Sequence, residues 1–68
     1  MEWAVITNAK GVRQAYNPAD RLGITRAVLD MTRNYGIAQD LAEWCDLASA
    51  GMRKTYDRPF VCAEIVLR

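Results

Sequence analysis

The side chains that most often perform chemistry in proteins are few in this sequence and do not form recognisable sets. There is no histidine, and Ser49 is the single serine. Without histidine the chain cannot form the Ser–His or Cys–His pairs in which a base activates a nucleophile. The carboxylates are not grouped into a local acid–base pair either. We therefore expect a protein that is not an enzyme and that uses no cofactor.

The two cysteines, Cys45 and Cys62, lie far apart in the sequence. A structural zinc site usually needs four nitrogen or sulfur ligands, which one such chain does not provide, so we expect no metal. Two chains together would bring four thiols, and a disulfide between the two cysteines is a further alternative. Because the sequence shows no export signal, we favour two buried free thiols that behave as small apolar side chains.

A basic segment with one aromatic residue follows the predicted helices. Arg53, Lys54 and Arg58 surround Tyr56, and Pro59 closes the run, which predicts a polar loop over residues 53–59. A loop of this composition is able to hold a phosphate backbone or to stack a base. These four residues are the candidate nucleic-acid-binding set, and the alternative is ordinary solvated loop surface.

The second predicted helix is acidic on its polar side. It carries Asp40, Glu43 and Asp46 and no basic residue. Because a DNA-reading helix normally presents basic or amide side chains to phosphates and bases, this composition argues against a helix-turn-helix protein. The acidic surface suits a basic partner or an arginine of a second copy, or it is simply solvated.

Residues 2–16 predict a β-hairpin, because strand-forming residues flank a turn sequence at 8–11. Asn8 suits the first position of a type I turn, and Gly11 suits the positive φ of the bulge that follows. A two-residue loop would shift the register by one and pair Trp3 with Tyr16. The favoured turn places Trp3 and Val5 on the same face; it pairs Asn8 with Val12, Ile6 with Gln14 and Ala4 with Tyr16.

Two helices are predicted after the hairpin. The first begins at Asn17–Pro18, a capping residue followed by a proline in the first helical position, and ends at Gly36. Gly23 is a weak point at which this helix would break and restart. The second helix runs from Ile37 to about Ala50. The predicted apolar stripes are Ile24, Val28, Met31 and Tyr35, widened by Leu22 and Leu29, and Ile37, Leu41, Trp44 and Ala48, with Ala38, Cys45 and Leu47 beside them.

Residues 60–67 are the most strand-like segment of the chain, with an uninterrupted apolar face at 61, 63, 65 and 67. The predicted fold is α+β: a small ββααβ domain over residues 1–68, in which two helices pack on one face of a three-stranded sheet. We expect the last strand to lie beside the first and parallel to it, with the second strand at an edge. Glu64 is a lone acid in this apolar strand, and it serves as an edge-protecting charge, as a partner of Arg13 across the sheet or as an interface contact.

Composition restricts the class of protein. An apolar fraction of 51% with 25% charged residues is typical of a folded domain, and 68 residues hold one core. A net charge of +1 gives no overall field that would attract nucleic acid or an anionic membrane. No stretch approaches the roughly 20 apolar residues of a membrane span, and residues 1–3 do not begin a signal peptide. We expect a cytoplasmic protein without membrane contact.

The predicted sheet has more apolar surface than two helices can cover. The face opposite the helices carries a candidate interface, and an exposed patch of this kind marks a docking surface. Helix ends and the segment 52–59, with Met52, are the alternative cover. We therefore expect a small non-enzymatic interaction or regulatory module that forms a homodimer or binds a protein partner through this face or an edge strand, with nucleic-acid binding as the alternative. The candidate interface residues are Trp3, Val5, Phe60, Cys62, Glu64 and Val66.

Overall fold

A computed structural model describes residues 1–68 and contains four strands and two helices. The α+β class is confirmed, but the sheet has four strands and not the three predicted. In chain order the elements are β1 Glu2–Asn8, β2 Arg13–Tyr16, α1 Arg21–Thr32, α2 Tyr35–Leu47, β3 Arg53–Asp57 and β4 Phe60–Leu67.

The strand order is β2-β1-β4-β3, and every neighbouring pair is antiparallel. The predicted adjacency of the first and last strands and the edge position of β2 are confirmed. The predicted parallel orientation of β1 and β4 is wrong. The additional strand β3 reverses the chain once more after the helices, so that β4 runs against β1. The last strand is consequently an inner strand of the sheet.

The first hairpin forms as its turn residues require. The Asn8 amide donates to the Val12 carbonyl at 3.1 Å, and Gly11 adopts a φ of 80°. The Asn8 side-chain oxygen accepts from the amides of Lys10 and Val12 at 3.0 Å each, which fixes the turn. The predicted pairings of Ala4 with Tyr16 and of Ile6 with Gln14 are confirmed.

The prediction of a loop over residues 53–59 is wrong, because residues 53–57 form the strand β3. Its side chains alternate between exposed and half-buried, which is the period of a strand. Because polar residues occupy both sides of β3, its sequence shows no alternation of apolar and polar residues from which a strand could be predicted. Arg58 and Pro59 form the turn to β4, in which Asp57 pairs with Phe60.

Helix α1 begins three residues after the predicted start, at Arg21 and not at Pro18. Asp20 is the N-cap, and its carboxylate accepts from the Gly23 amide at 3.0 Å. Asn17 instead closes the preceding turn by accepting from the Ala19 amide at 2.9 Å. The predicted break at Gly23 is absent, because the helix runs without interruption from Arg21 to Thr32.

The junction between the helices lies before Gly36, so the predicted stop at this glycine is wrong. Arg33 ends α1 with a φ of 56°, and the Asn34 side chain accepts from the Ile37 amide at 3.0 Å. Asn34 is therefore the N-cap of α2, and Tyr35 begins the second helix. This helix ends at Leu47, before the predicted Ala50.

Both helices pack on one face of the sheet and form one core with it. Leu22 and Leu47, predicted to lie on or beside the apolar stripes, are 62% and 81% exposed. Cys45 and Cys62 are free and buried, as predicted, and burial raises the pKa of the Cys45 thiol to about 11. Neither helix is long and apolar enough to cross a membrane. The core residues are Ala4, Ile6, Ile24, Val28, Ala38, Leu41, Ala42, Cys45, Val61, Ala63 and Ile65.

Candidate interface on the open sheet face

The sheet surface opposite the helices, here called the open face, collects side chains from all four strands. Because side chains alternate along a strand, the register assigns each residue to a face. All six candidate interface residues lie on the open face, together with residues that the sequence did not single out. Its members are Trp3, Val5 and Thr7 on β1, Arg13 and Ala15 on β2, Arg53, Thr55 and Asp57 on β3, and Phe60, Cys62, Glu64 and Val66 on β4.

Apart from Thr7 and Glu64, the open face is apolar in its two inner strands, and its outer strands carry Arg13, Arg53 and Asp57. Val5 and Glu64 are cross-strand partners in the middle row of the face, with Ala15 and Arg53 at the two outer ends of that row. Trp3 pairs with Val66 in the neighbouring row. An apolar centre with a polar, charged rim is typical of a protein interface.

No secondary-structure element covers the open face, since both helices contribute to the core on the other side. The alternative cover by residues 52–59 is wrong, because this segment extends the sheet itself. The Met52 sulfur lies 3.3 Å from the Ser49 amide, which donates to it.

The side chains of the open face nevertheless shield its two innermost members. Val5 is 6% exposed and Cys62 is 5% exposed. The Thr55 hydroxyl donates to the Cys62 sulfur at 3.4 Å. The largest accessible apolar side chains of this face are therefore Phe60, which is exposed, and Trp3 and Val66, which are half-buried.

The charges of the open face have no salt-bridge partner within the chain. The two salt bridges of the protein, Arg21–Asp46 at 3.2 Å and Lys54–Asp40 at 3.0 Å, both lie elsewhere. The predicted pair of Arg13 with Glu64 is wrong, since β1 separates their strands and Glu64 lies opposite Arg53. The nearby Cys62 sulfur and Glu64 carboxylate raise the pKa of the exposed Arg53 guanidinium.

The structure divides the candidate nucleic-acid-binding residues between two surfaces. Arg53 lies on the open face, whereas Lys54 and Tyr56 alternate to the helix side. There the Lys54 ammonium lies 3.0 Å from the Asp40 carboxylate, and the Tyr56 hydroxyl donates to the same carboxylate. Arg58 lies in the turn between β3 and β4.

Internal contacts neutralise most of the acidic helix surface. Asp40 contacts Lys54 and Tyr56, and Asp46 pairs with Arg21. Of the three acids that the sequence placed together, only Glu43 is without such a partner. This surface is therefore a weaker candidate for a basic partner than its sequence predicts.

Sequence reasoning missed Thr55 and Asp57 as neighbours of the candidate interface. Their place follows from the register of β3 against β4. Because polar residues occupy both sides of β3, the sequence has no alternation of apolar and polar residues that would have located them. No protein family, curated protein or solved structure matches this chain.

Proposed function

We propose that this protein is a small interaction or regulatory module, without catalytic activity of its own, that self-associates through the open face. The observation that supports this proposal is the uncovered face itself. Phe60 is 37% exposed there, Trp3 and Val66 are half-buried, and unpaired charges flank them. Aromatic side chains beside unpaired arginines are enriched where proteins bind one another.

The small core gives self-association a second physical basis. Only 14 of the 68 residues are buried, and the core lies on one side of the sheet. Domains of this size gain little from a single core, and oligomerisation is a common source of further stability. Packing a second layer against the open face would place the inner strands between two apolar layers.

The open face is a better docking surface than a strand edge. β4 is an inner strand, so its backbone groups already pair with β1 and β3. The edges belong to β2, which has four residues, and to β3, which carries charges along its length. Short and charged edge strands resist pairing with another chain.

Light scattering coupled to size-exclusion chromatography tests the proposal. We expect the mean mass to rise above 7.7 kDa as the protein concentration increases into the high micromolar range. Val66→Lys should hold the chain at the monomer mass, because it places an ammonium in the apolar part of the face. Leu47→Lys is the matched control, since Leu47 is 81% exposed on the helix side.

The folded state of each variant is checked by circular dichroism, and Trp3→Ala is a second face variant. A wild-type chain that stays monomeric throughout the concentration range would overturn the proposal. Equal effects of Val66→Lys and Leu47→Lys would also overturn it, because association would then not depend on this face.

Nucleic-acid binding through residues 53–58 stays a prediction, and the geometry lends it no support. Lys54 and Tyr56 already contact Asp40, on the opposite side of the sheet from Arg53. Fluorescence anisotropy with labelled single-stranded and double-stranded oligonucleotides at low salt tests it. Binding that is lost on Lys54→Ala and weakens steeply with salt would revive this alternative.

A further inference from the structure

A shallow depression of about 260 Å³ lies at one side of the open face. Its lining includes Val5 and Ala15, with Arg13 and Arg68 beside them. Both arginines are exposed, and neither guanidinium forms a salt bridge with an acidic side chain. Two guanidinium groups beside an apolar floor are suited to a carboxylate on a partner surface.

We propose that the carboxylate is Glu64 of a second copy, whose open face packs on this one about a two-fold axis parallel to the strands. This arrangement rests on the proposed function, because it specifies the partner of the same face. An axis that runs between β1 and β4 places β4 of the partner over β1 of the first copy. Since Glu64 and Val5 are cross-strand partners, the partner's Glu64 then lies over Val5 and between Arg13 and Arg68.

Charge disfavours one alternative, a two-fold axis that crosses the strands through the middle row. Such an axis would place Glu64 against the partner's Glu64 and Arg53 against the partner's Arg53. Both contacts join like charges in a region from which packing would exclude water, and such contacts are unfavourable. The axis parallel to the strands avoids both contacts, because it lays the partner's Arg53 over Ala15, and it repeats the Glu64–arginine contact twice, as an isologous interface requires.

The apolar residues of the face also fit the parallel axis. Trp3 and Val66 are cross-strand partners, so the same rotation lays Trp3 over the partner's Val66. The face measures roughly 20 by 25 Å from strand spacing and rise, so that two copies bury on the order of 1,000 Å². This area is at the lower limit of specific interfaces, and the expected dimer is therefore weak and depends on concentration.

A mixture of two charge-reversed chains tests the arrangement. In Glu64→Arg the contact becomes arginine against arginine, and in Arg13→Glu it becomes glutamate against glutamate. We expect each variant alone to associate at least about tenfold more weakly than the wild type. In the heterodimer both contacts again join opposite charges, so an equimolar mixture should recover the dimer.

Recovery of the dimer in the mixture would show a contact between two chains, because Arg13 and Glu64 are not in contact within one chain. They lie on β2 and β4, with β1 between them, and they form no salt bridge. Arg26→Glu replaces Arg13→Glu in the control mixture, because Arg26 is exposed on α1, on the helix side. Because Arg26→Glu leaves the open face unchanged, we expect it to dimerise with itself as the wild type does. We expect the control mixture to exceed the sum of its two components far less than the mixture with Arg13→Glu does.

An isotope-filtered NOE experiment on wild-type protein gives a readout that needs no substitution. In a mixture of labelled and unlabelled chains, we expect an intermolecular NOE between the Trp3 indole and the Val66 methyl groups. This measurement decides the question if circular dichroism shows that Glu64→Arg does not fold.

The outcomes separate this arrangement from the proposed function. If the wild type dimerises and Val66→Lys abolishes the dimer, but the charge-reversed mixture does not recover it and the NOE is absent, the arrangement is wrong and the proposed function stands. If the wild type is monomeric at all concentrations, both are wrong. Recovery in the mixture together with the NOE supports both.

Discussion

The two faces of the sheet are built from the same strands but differ in how their side chains are satisfied. On the covered face, Ala4, Ile6, Val61, Ala63 and Ile65 are each fully buried against the helices. On the open face, neighbouring side chains are the only shield, and the charged groups have no salt-bridge partner. An apolar strand alternation therefore does not by itself make a core; a second layer must be present to bury it.

The side chains of the two faces therefore contribute differently to the protein. The covered face supplies the packing that specifies and stabilises the fold. The open face retains apolar groups and unpaired charges, whose free-energy cost is small while they remain partly hydrated. These groups would contribute binding free energy in the proposed dimer, in which a second copy covers them. Substitutions at adjacent positions of one strand can therefore separate stability from association.

The largest expected effect is the contrast between Ile65→Ala and Val66→Ala. Ile65 is fully buried, so its truncation should lower the free energy of unfolding by about 2–5 kcal/mol. Val66 is half-buried on the open face, so its truncation should cost less than about 1 kcal/mol. Urea denaturation at low micromolar concentration measures both values in the monomer.

The same two variants should rank in the opposite order for the strength of self-association. Val66→Ala removes part of the proposed interface, whereas Ile65→Ala leaves the open face unchanged. Equal losses of stability at the two positions would contradict the distinction between the faces, because they would show that both faces are buried alike in the monomer.

Local chemistry explains what the sequence could predict of this fold. The first hairpin was predicted with its register, because Asn8 and Gly11 fix the turn through bonds between residues close in sequence. The two faces of β4 followed from strict alternation over its eight residues. The six candidate residues therefore fell on one face, which needed only the hairpin register and this alternation.

The remaining features depended on competition between local signals. Asn34 favours the start of a helix and Gly36 favours the end of one, and they lie two positions apart. In the structure Asn34 caps the start of α2, and Gly36 lies in its first turn. The strand β3 has polar residues on both sides, and Lys54 and Tyr56 are held at the helix side by Asp40, which lies on another element. Because β3 was not predicted, the direction of β4 and the position of Arg53 were not predictable either.

The Cys45 thiol should make the covered face sensitive to alkaline pH. Burial raises its pKa from 9.0 to about 11, so the folded chain keeps a proton that the unfolded chain releases between these values. Stability from this group is present below about pH 9 and is lost as pH rises toward about 11. The difference of about two pKa units corresponds to about 2–3 kcal/mol.

Cys45→Val isolates this contribution from other groups that titrate at alkaline pH. The variant keeps an apolar side chain in the core but has no thiol to ionise. We expect the free energy of unfolding to fall more steeply with pH in the wild type than in the variant, as followed by urea denaturation from pH 8 to about pH 11. Parallel pH profiles would show that the Cys45 site is not sealed from water.

The smallest effect contrasts two adjacent basic residues of β3, which project from opposite faces. Lys54 forms a salt bridge with Asp40 at 3.0 Å, whereas Arg53 on the open face forms none. Both side chains of the salt bridge are substantially exposed, so Lys54→Ala should cost about 0.2–1 kcal/mol in the monomer. Arg53→Ala should change the free energy of unfolding by less than about 0.5 kcal/mol.

Salt identifies the cause of this small difference. The penalty of Lys54→Ala should shrink in about 1 M NaCl, because mobile ions screen an exposed salt bridge that lies within reach of solvent. Glu43→Gln is the control on α2, since Glu43 is exposed and has no salt-bridge partner. If Arg53→Ala destabilised the monomer as much as Lys54→Ala did, and with the same salt dependence, the charges of the open face would already be satisfied within the chain. Glu64, which lies opposite Arg53, would then be satisfied within its own chain and would no longer favour an arginine of a second copy.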